Sequence, residues 1–154
     1  METAYQQQAL LSANAIELII ALYDGALKFL YRAIQAVEDN DELGRRIAVK
    51  RVIDILMYLQ ARLRPDVGGA PAVALADFYA AMFTMTLEAS HIASAEGFEE
   101  VIACVKNVRD AWVIVSQDPE AGKVLSRELR TREETFVPAA AAVEVQSLAA
   151  RWSA

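Results

Sequence analysis

An all-α fold, an antiparallel four-helix bundle with an additional helical C-terminal extension, is what this sequence predicts, and three observations carry it. Ala, Leu, Val and Ile dominate a chain that is 55% hydrophobic, with only six Gly and four Pro in 154 residues, a composition suited to long helices and few loops. Four stretches of about 20 residues repeat their apolar positions at steps of three and four, the helical period. Short polar or Gly/Pro breaks separate them, which places consecutive helices as antiparallel neighbours. Residues 1–117 are assigned to the bundle, with 1–13 as an N-terminal segment ahead of helix one, and 118–154 to the extension.

Helix one is expected over 15–38. Asn14 is placed to cap it and Glu17 stands at its third position, the capping-box spacing, while the polar run "EDNDELG" ends it. Helix two occupies "DELGRRIAVKRVIDILMYLQARL", with Val49, Val52, Ile53, Leu56, Leu59 and Leu63 on one face. Pro65, Asp66, Gly68 and Gly69 form the strongest break in the chain. Helix three runs from about Pro71 to Ser90 and is apolar nearly all round, which predicts burial on more than one side. Ser94 is the candidate N-cap of helix four, where Phe98, Val101, Val105, Val108, Trp112 and Val115 alternate steps of three and four. Asp118-Pro119 marks a boundary. A short charged helix follows, Pro138 breaks it, and a final helix places Val145, Leu148 and Trp152 near one face.

Helix one carries more apolar surface than a bundle position needs. At about 100° per residue, Leu22, Gly25, Phe29, Ala33 and Ala36 fall within about 60° of Leu18. Ile16, Ile19, Tyr23, Ala26, Leu27, Leu30, Ile34 and Val37 gather about 80° to 180° away, so the apolar arc spans roughly 200°, twice the usual width. Either the helix is central and packs on several neighbours, or the Leu18-Leu22-Gly25-Phe29 stripe lines a groove for a helix from another protein. Gly25 costs roughly 1 kcal/mol in a helix interior relative to Ala, and a close backbone approach, by a neighbour or a partner, would justify it. Spacing leaves both readings open.

Charge and chemistry narrow the functional classes. The formal charge is −6, and an acidic body argues against nucleic acid. No apolar run reaches the roughly 18 residues of a membrane span, so no membrane insertion is expected. The N-terminus lacks the basic and apolar regions of a signal peptide, and the lone Cys104 fits a reducing, cytoplasmic setting and reads as a small buried hydrophobe. His91, the single histidine, falls at a helix end and reads as structural or solvent-exposed; one histidine rules out the paired Glu-x-x-His pattern of di-iron bundles. Glu99-Glu100 and Glu133-Glu134 are adjacent pairs on different helix faces, hence solvated. No phosphate loop, dinucleotide fingerprint or zinc spacing occurs. No catalytic residue, metal site or cofactor is assigned, and the sequence speaks against an enzyme.

"YQQQALLSANAIELIIALYDGAL" (5–27), the Gly-Gly break at 68–69 and "NVRDAW" (107–112) together resemble the flagellar secretion chaperone FliS family over residues 3–117. The Leu-Tyr-Asp-Gly-Ala run at 22–26 combined with Tyr5-Gln6 is the specific part. Two departures stand out: Ser12-Ala13-Asn14-Ala15 replaces the family's Thr-Ala-Ser-Pro, and 118–154 lies beyond the match. The resemblance implies a cytoplasmic export chaperone whose partners are the disordered C-terminal segment of flagellin and components of the export gate. It makes the second stripe a client groove, with Leu18, Leu22, Gly25 and Phe29 as floor, Tyr5 and Leu11 contributed by the N-terminal segment, and Tyr23 shared between motif and core. Residues 1–10 or so are expected to fold over the empty groove, the C-terminal tail being a second candidate cover. The competing reading is a helical adaptor or dimerisation module whose extra face meets another protein or a second copy of the chain, as a homodimer.

Overall fold

Two turns of the same design organise the bundle. Asn40 and Ala93 both adopt left-handed φ, 53° and 51°. In the first, Asn40 N–H donates to Val37 and Asp41 N–H to Ala36; in the second, Ala93 N–H donates to Ser90 and Ser94 N–H to Ala89. Each pair closes a helix in a Schellman motif. The residue that follows then caps the next helix, Asp41 accepting from the Gly44 N–H and Ser94 from the Gly97 N–H. One helix therefore ends and the next begins within three residues, which forces antiparallel neighbours.

The structure, a computed structural model, describes residues 2–63 and 65–118, with side chains described for 15–63 and 69–118. Its elements are α1 (Glu2–Glu38), α2 (Glu42–Ala61), α3 (Pro65–His91) and α4 (Ala95–Ser116). The helix α1 packs on α2 and α4, and α3 packs on the same two from the other side, so α1 and α3 stand diagonally opposite. The core runs between all four, with Tyr23, Leu30, Val52, Leu75, Phe78, Met82, Phe98, Val101, Val108 and Trp112 sealed in it. The seam expected on helix four is buried at every position, and of the helix-two face Val49, Val52, Leu56 and Leu59 are buried while Ile53 and Leu63 pack at its edge.

Several expectations change. Helix one does not begin at an Asn14 cap: α1 runs unbroken from Glu2, because Gln6-Gln7-Gln8-Ala9-Leu10 are strong helix formers and outweigh the capping preference of Asn. Residues 2–13 thus extend the helix and do not fold back across it. The break at 65–69 survives as a kink, since Gly69 sits at φ 66°, ψ −153° inside α3, a conformation open only to glycine. The stretch Gly69–His91 is long and apolar enough to cross a membrane by length and composition, contrary to the reading that no such run exists. Its inner face serves the core, with Ala72, Leu75, Phe78, Tyr79, Met82 and Ala89 buried. The outer face is open, so α3 is buried against its two neighbours, α2 and α4, and not all round. Cys104 is only partly buried, packed against the core edge. The helices expected after Pro119 and Pro138 lie outside the described residues.

Candidate functional site

The second stripe of α1 is covered unevenly along its length. Ala33 and Ala36 are buried, consumed by packing. Leu22 and Phe29 are partly buried and touch the core from its edge. Leu18 remains 46% exposed. The stripe is therefore neither sealed nor free: one end is bundle and the other is surface.

Gly25 explains the difference less than expected. A Cβ built there would meet only Ile55 Cδ1 of α2, at 3.4 Å, an ordinary contact. Among the described residues no helix backbone approaches closely enough to require glycine. The α2 side of the same strip carries Ile47 and Tyr58, both exposed, which share a helical face with Arg51 and Arg62 at spacings of four and seven. Arg62 stacks over the Tyr58 ring at 4.3 Å, and Arg32 and Lys28 lie 5.3 and 5.8 Å from the Phe29 centroid. At the turn end an open cavity of about 250 Å³ is lined by Phe29, Arg32, Asp39, Asp41, Gly44 and Ile47. The result is an apolar floor with charged walls, suited to an amphipathic helix or an extended apolar segment.

Of the site residues expected from sequence, Leu18, Leu22, Gly25 and Phe29 come together along this strip. Tyr23 does not. It is 2% exposed, packed edge-on to Tyr79 with centroids 6.3 Å apart and hydroxyls hydrogen-bonded at 2.7 Å. Burial pushes both phenol pKa values above the ordinary 10.0; for Tyr23 the Tyr79 hydroxyl and Trp112 act against the rise. The angular reading that placed Tyr23 on the core stripe describes its position. The side chains of Tyr5 and Leu11 lie outside the described residues.

A contact that sequence spacing alone did not reveal joins the two motif segments. Arg109 Nε donates to Asp24 Oδ1 at 2.9 Å across α1 and α4, and Arg109 also reaches Asp110 at 3.4 Å. Its guanidinium pKa is raised first by the Asp24 hydrogen bond. Tyr23 and Trp112 are buried, so the Tyr-Asp and Arg-Asp-Ala-Trp runs each give one residue to the core and one to this ion pair. Its exposed setting limits the pair to about 0–1 kcal/mol. Among the described residues no cluster of His, Cys, Asp and Glu is arranged to hold a metal ion.

Comparison with known proteins adds one consistent result. The family described as flagellar protein FliS matches residues 1–119. Curated relatives named flagellar secretion chaperone FliS include one from Salmonella typhimurium, 32% identical over 71% of this chain and 82% of the relative. Others come from Escherichia coli, 29% identical over 69% and 79%, and from Bacillus subtilis, 29% identical over 71% and 81%.

Proposed function

The chain belongs to the flagellar protein FliS family of secretion chaperones, and from that membership we propose that it is a cytoplasmic, non-enzymatic export chaperone. It holds the C-terminal segment of flagellin against premature polymerisation and keeps it fit for the flagellar export gate, with the α1–α2 strip as its client groove. The observation that carries the assignment of the groove is the half-open apolar strip of Leu18, Leu22 and Phe29, continued by Ile47 and Tyr58.

The energetics suit this task. Ordering a disordered client costs about 1–2 kcal/mol per residue in backbone entropy, and each large aliphatic side chain it buries returns roughly 1.5–3 kcal/mol. Net affinity then requires a long apolar surface with few specific polar contacts. Such binding is reversible, and no nucleotide is needed to hold the client.

The test is a calorimetric titration of the full chain with a synthetic flagellin C-terminal segment, beside its Leu18→Asp variant. Leu18 is 46% exposed, so completing its burial is worth roughly 0.7–1.4 kcal/mol, and a carboxylate placed in the contact costs more. Expected are saturable binding by the unaltered chain, at least tenfold weaker binding by Leu18→Asp, and nearly unchanged melting of the free variant. Absence of binding by the unaltered chain overturns the client assignment; equal binding by the variant overturns the groove.

A further inference from the structure

The outer face of α3 is a second apolar surface, distinct from the α1–α2 strip. Val73, Ala76, Ala80, Phe83 and Leu87 succeed one another at steps of three, four, three and four, the seam spacing of a coiled coil. Val73 and Leu87 are 44% and 43% exposed, Ala80 is exposed, and Ala76 and Phe83 are half-buried. In the most apolar window of this helix only 39% of the residues are buried. The neighbouring charges are few, Asp77 and Glu88 both lying exposed along one flank. Small side chains at 76 and 80 leave room for another helix to lie close.

The chain supplies a matching sequence pattern outside the described residues. After Pro138, a first-turn residue by preference, comes "AAAAVEVQSLAARWSA", rich in the best helix formers. In it Ala141, Val145, Leu148 and Trp152 are spaced four, three and four, so as a helix they would share one face, bordered on one side by Glu144 and Arg151. We propose that residues 139–154 dock as a helix on the Val73–Leu87 stripe of their own chain, covering α3 as a fifth helix.

The reach is adequate. Because α4 is antiparallel to α3, the chain leaves Ser116 at the end of the bundle where the stripe begins. The connecting residues 119–138 extend to at most about 66 Å and average roughly 25 Å if flexible. The stripe is about 21 Å long and the tail face about 16 Å. A tether of this length keeps the tail at an effective concentration near the millimolar range, which disfavours a second copy at micromolar protein. The matching family stops at residue 119, so this device belongs to the extension of this chain. It does not depend on the α1–α2 groove.

Trp152 reports on the proposal directly, since Trp112 is buried and is expected to be shielded from quencher. Acrylamide quenching of the full chain is compared with that of Trp152→Phe to isolate the Trp152 signal. It is then repeated in Ala80→Glu, which alters an exposed helix position. Expected is a Trp152 several-fold protected in the unaltered chain at every concentration, and quenched like a free indole in Ala80→Glu while Trp112 stays protected. A freely quenched Trp152 in the unaltered chain overturns the proposal, as does protection that survives Ala80→Glu. Protection that vanishes on dilution also overturns it, assigning the stripe to a second copy.

Discussion

Gly25→Ala separates what the bundle needs from what a client needs. In a helix interior glycine is about 1 kcal/mol less favourable than alanine, and the added methyl meets only Ile55 Cδ1 at 3.4 Å. The free protein therefore gains up to about 1 kcal/mol, a rise of about 2–4 °C in Tm for a chain of this size. If a client segment lies against the bare backbone of Gly25, the same methyl overpacks that contact. Overpacking costs roughly 1–3 kcal/mol, which is about 5- to 160-fold in Kd. Melting and titration with the flagellin segment on the same sample give both quantities. Higher stability with weaker binding is the expected signature. A lower Tm would show that the bundle itself requires glycine here, and unchanged affinity would remove Gly25 from the client contact.

Three further outcomes follow from the core and the turns. Tyr23→Phe or Tyr79→Phe alone leaves one buried hydroxyl without its partner and costs about 1–3 kcal/mol, whereas the double variant recovers most of it; denaturant melts of the four proteins check the cycle. Because burial raises both phenol pKa values in the folded state, their contribution is complete below pH 10 and is lost as pH rises above it, by about 1.4 kcal/mol per unit for each tyrosine. In the double Phe variant that alkaline loss is absent. Thr86 is fully buried and its hydroxyl has no hydrogen-bond partner among the described residues, so Thr86→Val is expected to stabilise by about 1–2 kcal/mol, and a lower melting temperature would contradict it. Ala93 holds φ 51° in the α3–α4 turn, and Ala93→Gly is expected to raise stability by roughly 1 kcal/mol.

Where a local signal and the tertiary requirement coincide, the fold was legible in the residues. Ser94 caps α4 because its hydroxyl has a nearby N–H to satisfy, and the Phe98-to-Val115 seam is buried because its spacing fits a single face. Where they diverge, it was not. Asn14 offers a cap, but the flanking glutamines and alanines make continuation cheaper than a start, so α1 extends to Glu2. On α3 the composition indicated burial, yet whether an apolar face is covered depends on how many neighbours the topology supplies, and α3 receives two. The Asp24–Arg109 pair spans 85 positions. No local pattern announces such a contact.

The stripe on α1 shows why an angular count stops short of a site. The count places Ala33, Phe29 and Leu18 together, and they do share a face. What separates them is how far the bundle covers each: Ala33 is sealed, Phe29 packs at the core edge and Leu18 is left to water. A groove built this way has a floor anchored in the core and an edge that is open. Substitutions at its anchored end therefore act on folding and binding at once. Phe29→Asp would place a charge against the core edge and unfold the bundle as readily as it repelled a client. Leu18 is where the two effects come apart, and its exposure makes it the informative position for deciding between a client groove and an uncommitted apolar edge.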